Sequence, residues 1–339
     1  MSGDGREAAA SRADASVASA PAAPASAAPA SAPMPGTDGE PSVQRPRVVY
    51  SGEPGAFAED AVVAFFADPL PVPVPGFREV FTAVTAGRIA ADPSGAAPVV
   101  AGVVPIENLV NGTVRENYDL LLEHHLEIRG EVVVPVHLCL AALPGERIDG
   151  IARVYSHIQA LGQADLFLRG RPWQLLTTYN TAAAGVAIAE RGERAAAAVL
   201  SPRAAALAGL EILADGIQTV PDNRTRFVVV APPGVGLPDA LLRMPAAGQA
   251  GGRGATTTLV LGVRNEPGTL MACLAVLADE GINMHKLESR PSLERAWEYV
   301  FWVDVDGDVR APAMARALDR LAGVTTLLRV LGSYPRAEA

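Results

Sequence analysis

The feature that most constrains this chain is an alternation, between two composition breaks, of short β-branched runs with helical patterns. The segment RVVYSGEPGAFAEDAVVAFFAD (47–68) reads as strand, glycine turn and helix, and VVAGVVPIENLVNGTVRENYDLLLEHH (99–125) repeats that plan. VYSHIQALGQADLFLRG (154–170) and LLTTYNTAAAGVAIAERG (175–192) follow suit. Such alternation buries strands beneath helices and specifies an α/β fold. With 339 residues, 49% of them hydrophobic, the chain is long enough for two or three domains. Residues 1–46 are Ala, Pro, Ser and Gly with almost no large apolar side chain, too little to offset the entropy of ordering, and so predict a disordered tail. The second break, MPAAGQAGGRGA (244–255), suits a flexible linker within residues 233–255.

Charge and motif content exclude several function classes. A net charge of -9 without any basic block argues against a nucleic-acid partner, since that binding needs clustered Lys and Arg. No unbroken apolar span is long enough for a membrane helix. The head of the chain carries Asp4, Glu7 and Asp14, which a transit peptide would avoid, so a cytoplasmic protein is expected. Cys139 and Cys273 lie in apolar runs without partners at metal spacing and read as core residues, with neither disulfide nor zinc expected. There is no GxGxxG, Walker loop or HExxH, so no cofactor or metal is expected.

The strand-to-helix junctions carry small polar residues. Thr113 and Glu116 have capping-box spacing, Ser156 reads as an N-cap with Gly170 as stop, and Asn180 or Thr181 as a cap with Gly192 as stop. Capping accounts for each of these alone. It does not account for Glu107 and Asn108 after the apolar VVAGVVPI, for Gln159 and Gln163 four apart on one helical face, or for Thr225 between Arg224 and Arg226. At the carboxyl ends of strands such groups supply donors and acceptors for a small polar ligand. In a regular strand Thr225 and Arg226 point to opposite faces, so both reach one ligand only at an irregular strand mouth.

GEPGAFAEDA (52–61), VVPIENLVNGTV (103–114), SHIQALGQ (156–163), NTAAAG (180–185) and NRTRF (223–227) occur in an order and spacing that resemble the prephenate dehydratases. GVRNEPGTLMACLAVLADEGINMHKLESRP (262–291) resembles the ACT regulatory domain attached to them. The resemblance implies a catalytic domain over 47–232 with two lobes like those of periplasmic binding proteins. It also implies a ferredoxin-like βαββαβ ACT domain over 256–334. The chain would cross between lobes near Glu131 and return near Leu213. The implied reaction is decarboxylative dehydration of prephenate to phenylpyruvate in L-phenylalanine biosynthesis, with no cofactor. Thr225 is the implied proton donor, with Glu107, Asn108 and Gln163 as catalytic partners. Gly55, Ser156, His157, Thr181 and Arg226 are implied as substrate-binding, with His157 a rival acid because imidazole titrates near neutrality.

In the ACT domain, Gly268, Leu270, Asn283, Met284, Glu288 and Ser289 match positions that bind phenylalanine between two copies, which implies a homodimer or homotetramer. Because the ACT segment reads as self-contained behind a Gly-rich linker, a chain ending near Leu242 is expected to keep its activity and lose its response to phenylalanine. Departures from the family pattern are Ala56 and Ala58 in place of hydroxyl residues, Leu109 for serine, Ile158 for proline and Thr269 for alanine. Alternative readings are an arogenate dehydratase, a prephenate decarboxylase and a non-catalytic amino-acid sensor.

Overall fold

The computed structural model describes residues 45–90, 98–243, 254–291 and 299–337. The expected tail, apart from its last two residues, and most of the glycine-rich stretch lie outside the described residues. Those described fall within one compact unit, Gln44–Ala339.

The first lobe is built from β1 (Arg47–Ser51), α1 (Phe57–Phe65), β2 (Leu70–Val74), α2 (Phe77–Ala86), β3 (Val99–Asn108), β4 (Gly112–Thr113), α3 (Arg115–Glu123) and β5 (Glu127–Pro135). The second lobe holds β6 (Cys139–Ala142), β7 (Arg153–Ser156), α4 (Ile158–Gln163), α5 (Asp165–Leu168), β8 (Gln174–Thr177), α6 (Thr181–Arg191), β9 (Ala196–Leu200), α7 (Pro202–Leu207) and β10 (Glu211–Ala214). The chain then returns to the first lobe as β11 (Arg224–Ala231). Strand order is β2-β1-β3-β11-β5 in the first sheet, with β4 paired to β3, and β10-β6-β9-β7-β8 in the second. Pro71 and Pro73 sit in edge strand β2, where a missing N–H breaks no central ladder. The apolar β3 is central and nearly all buried.

The crossings differ from expectation. Glu131 lies mid-strand in β5 and the chain leaves the first lobe only after Pro135; Leu213 belongs to β10, and the first sheet resumes at Arg224. The run VVVPVHLCLAA is apolar on both sides of the crossing, so hydrophobicity carries no boundary there. The first half of the expected linker is also docked. Ala67 N–H donates to the Leu241 carbonyl at 2.8 Å, Arg243 N–H donates to Phe65 at 2.9 Å, and Leu237, Leu241 and Leu242 pack against the α1 core.

The C-terminal part is β12 (Ala255–Val263), α8 (Thr269–Asp279), β13 (Met284–Pro291), β14 (Tyr299–Asp306), α9 (Pro312–Val324) and β15 (Leu327–Pro335), a βαββαβ unit with sheet order β13-β14-β12-β15. Cys273, Leu277, Met314 and Leu321 fill the core between sheet and helices. The opposite sheet face is not free. Val260, Trp302, Leu331 and Tyr334 join one buried cluster with Ile106, Tyr118, Leu121, Ile128 and Val228 of the first lobe. Tyr118 meets Trp302 edge-on at 4.4 Å between ring centroids. At Gly332 the approach is so close that an added Cβ would stand 2.1 Å from the Ile128 carbonyl oxygen, a contact backbone cannot relieve. The self-contained reading of this unit is therefore corrected: it shares its core with the first lobe. A chain ending near Leu242 would uncover Ile106, Tyr118 and Val228.

Candidate active site

Strand β11 runs antiparallel between β3 and β5, and its register opposes Thr225 to Asn108 and Arg226 to Glu107. Successive residues of a strand face opposite ways. The two pairs consequently belong to two different environments.

On the inter-lobe face, Asn108 is 7% and Thr225 9% exposed. The Asn108 side-chain oxygen accepts the N–H groups of Val110 at 3.0 Å and Asn111 at 2.9 Å, which fixes the amide's orientation. Its Nδ2 then donates to Thr225 Oγ1 at 2.9 Å and to the Arg224 carbonyl at 3.1 Å. Because the threonine oxygen is an acceptor here, its own proton stays free for a ligand, and donation into Oγ1 makes that proton easier to release. Gln163 reaches over from the second lobe with Nε2 3.4 Å from Asn108 Oδ1, while its backbone carbonyl accepts from Thr219 N–H at 2.6 Å. The structure thus brings Thr225, Asn108 and Gln163 together. Gln159, on the same short helix, is exposed.

The opposite face corrects the placement of Glu107 and Arg226. Lys286 Nζ of β13 lies 2.7 Å from Glu107 Oε2. Arg226 donates to Glu131 at 2.6 Å, to Asp304 at 2.7 Å and to the Tyr334 hydroxyl at 3.2 Å. Burial works against the guanidinium's charge, but Tyr334, Asp304 and Glu131 outweigh it and hold the pKa above its ordinary value. Thr258 completes the network through Asp304 and Tyr334, each at 2.6 Å. These two residues face the C-terminal unit because β11 stays regular through Thr225 and Arg226, its bulge coming only after Arg226.

Three further placements differ. Ser156 ends β7, is fully buried and donates its hydroxyl to the Val199 carbonyl at 2.5 Å, so it does not cap α4 and its proton is already spent. The cap of α4 is His157, whose Nδ1 accepts Gln159 N–H at 3.3 Å. Burial lowers the His157 pKa and so disfavours the imidazolium form that an acid needs. Thr113 sits in β4 rather than in a capping box, and Val114 flanks α3 without a side-chain cap. Gly55 occupies a left-handed turn at φ 89. Its N–H goes to Glu59 at 2.6 Å and its carbonyl accepts from Ser201 at 2.9 Å, so it ties the lobes together rather than presenting an N–H to a ligand. Arg203 strengthens that contact with Glu59 and Asp60, both at 2.7 Å. Thr181 opens α6 behind the Asn180 cap, whose Oδ1 accepts Ala183 N–H at 2.6 Å.

Among the departures, Leu109 is 66% exposed and contributes its N–H to the Arg224 carbonyl. Ala56 leaves α1 without a side-chain cap. Thr269 satisfies its hydroxyl on the Arg264 and Glu266 carbonyls.

The expected effector residues divide as well. On β13, Glu288 accepts from Thr113 at 2.9 Å, and Arg290 bonds Asp119 and the Arg115 carbonyl, whereas the alternate residue Ser289 is exposed. Asn283 donates to Asp306 at 2.9 Å and Met284 packs on the helix-side core. Gly268 begins α8 in a left-handed conformation, followed by half-buried Leu270. Sequence reasoning gave Lys286 and Asp304 no role and took Glu131 only as a lobe crossing, not as a partner of Arg226. Their signal, charge at alternate positions of apolar strands, marks a buried face but not its partner.

Comparison with known proteins places this geometry. The family model described as prephenate dehydratase matches residues 48–234. The chain belongs to the prephenate dehydratase family. A second model, the ACT domain, matches residues 257–323. "Arogenate dehydratase 5, chloroplastic" of Arabidopsis thaliana is 37% identical over 310 residues, covering 85% of this chain and 67% of the relative. A "bifunctional chorismate mutase/prephenate dehydratase" of Aquifex aeolicus is 36% identical over 293 residues, covering 86% and 74%. The crystal structure of a prephenate dehydratase from Arthrobacter aurescens in complex with L-Phe is 30% identical with a TM-score of 0.71, covering 86% of this chain and 90% of that one. Another structure, titled "GqqA- a novel type of quorum quenching acylases", is 31% identical with the same TM-score of 0.71, covering 85% and 97%. Fold alone thus leaves the reaction open. The family match makes this dehydratase a hydro-lyase. Among the described residues no helix is long and apolar enough to cross a membrane.

Proposed function

We propose that this chain converts prephenate to phenylpyruvate, with Thr225 as the proton donor and phenylalanine as its regulator. The observation that carries the reading is the Thr225 hydroxyl, held by a backbone-locked Asn108 amide so that its proton is unspent. Prephenate carries a carboxylate and a hydroxyl at opposite corners of its ring. As the bond to the carboxylate breaks, its electron pair enters the ring and carbon dioxide departs. The carbon–oxygen bond opposite then breaks, and the oxygen takes the Thr225 proton and leaves as water. Aromatisation drives the step, and the protein's task is to keep hydroxide from being the leaving group. Asn108 and Gln163 position this donor.

Regulation fits the other face. Lys286, Glu288, Arg290 and Asp304 of the ACT unit bond Glu107, Thr113, Asp119 and Arg226, and two of those are chain neighbours of Asn108 and Thr225. A ligand that shifts β13 is therefore one residue from the reacting groups. Phenylalanine is the effector this reading assigns, bound near Gly268, Leu270, Asn283 and Ser289 between copies of the ACT unit.

The test is product identification by mass spectrometry after mixing the purified protein with prephenate and, separately, arogenate. Phenylpyruvate from prephenate, formed faster than phenylalanine from arogenate, supports the proposal. A decarboxylated product that retains the ring hydroxyl would show a decarboxylase, and binding without turnover a sensor.

A further inference from the structure

Asn223 opens the NRTRF segment and is 1% exposed, yet neither its Oδ1 nor its Nδ2 has a hydrogen-bond partner among the described residues. A buried amide left open at both ends is disfavoured in the free protein unless something else engages it. Val136 N–H donates to the Asn223 carbonyl at 2.8 Å, extending the β11–β5 ladder one residue beyond Arg224. The Asn223 N–H turns back to the Val220 carbonyl at 3.1 Å, which ends the ladder, but the Asn223 and Arg224 carbonyls still point to opposite neighbours, β5 and β3, so the alternation reaches Asn223 and places 223 and 225 on one face. Asn223 thus projects to the side on which Asn108 holds Thr225. It is also bracketed in the chain by Thr219, whose N–H bonds the Gln163 carbonyl, and by Thr225 itself.

We propose that Asn223 is a substrate-contacting residue whose carboxamide donates to a carboxylate of the anionic substrate at the end of the ring remote from the departing hydroxyl. This rests on the assignment of Thr225 above. Two residues of strand separate the side chains by about 6.6 Å, on the order of the spacing between substituents at opposite corners of a six-membered ring. The residue type suits the chemistry. An arginine or lysine would stabilise the ground-state carboxylate that must leave as carbon dioxide, whereas a neutral amide orients it without deepening that well.

The experiment compares Asn223→Leu and Asn223→Asp with wild type in thermal melts of the unliganded protein and in kinetics with prephenate and arogenate. Removing an amide that has no side-chain hydrogen-bond partner among the described residues leaves the melting temperature of Asn223→Leu at or above that of wild type. Its kcat/KM falls about ten- to a hundredfold, the loss of a hydrogen bond to a charged group. Asn223→Asp keeps the shape, repels the anionic substrate and falls further than Asn223→Leu with whichever substrate wild type uses. A lower melting temperature for Asn223→Leu would show a structural role and overturn the proposal, as would unchanged kinetics in an active background. Wild type that turns over neither substrate removes the functional reading and this one together, whereas an active wild type with an unaffected Asn223→Leu removes this one alone.

Discussion

Replacing Thr225 with valine is expected to lower kcat by about 10²- to 10⁴-fold while KM changes little. Valine matches the shape of threonine, so the packing of β11 against β3 and β5 is kept. What disappears is the hydroxyl that accepts from the locked Asn108 amide. Asn108 retains the Arg224 carbonyl as acceptor, so the folded state loses on the order of 1 kcal/mol. The rival acid is tested in parallel. His157→Gln should leave turnover within a few-fold of wild type, because the ring's Nδ1 is spent on the α4 cap and burial disfavours the imidazolium. Steady-state kinetics and circular dichroism on both variants decide between them: a normal rate for Thr225→Val with a dead His157→Gln reverses the assignment.

The second large effect is structural and comes from the neighbouring residue. Arg226→Met removes the cation between Glu131 and Asp304, which are 6% and 4% exposed. Two buried carboxylates would then face each other without compensation, a change expected to destabilise the protein by about 3–5 kcal/mol. Chemical denaturation measures it. Adding Glu131→Gln and Asp304→Asn to the same chain should recover most of the loss, since a neutral set no longer needs the cation. Were Arg226 a substrate ligand instead, Arg226→Met would unfold at the wild-type midpoint and show only a raised KM.

The same two residues show how far the sequence reached. Alternation along a strand already separates Thr225 from Arg226, and the sequence flagged the conflict between one ligand and two faces. It could not say what covers the second face. That cover is the ACT sheet, whose Trp302, Leu331 and Tyr334 come from residues far along the chain. The βαββαβ order and the strand–helix alternation were legible because each element carries its own period. Caps were less so. Ser156 and His157 are adjacent and both can cap, and only the pairing of Ser156 with Thr177 in β8 shows that the strand runs one residue further. The expected interlobe crossing near Glu131 failed for a similar reason, because nothing in the apolar run around Pro135 marks where one sheet ends. Asn223 was in view within the NRTRF motif but unremarked, since an asparagine before a strand looks like a turn residue. What sets it apart is a buried side chain without a hydrogen-bond partner among the described residues, which no sequence pattern shows.

The proposed chemistry on one face of β11 and regulation on the other would be coupled through Glu107–Lys286 and Arg226–Asp304. Thr225→Val offers the direct measurement, because prephenate bound to an inactive protein persists during a titration. Phenylalanine is titrated calorimetrically into this variant with and without saturating prephenate. If the two faces are coupled, saturating prephenate changes the phenylalanine Kd by about 5- to 150-fold, by the same factor as phenylalanine changes prephenate binding. A phenylalanine Kd that is the same with and without prephenate would contradict it.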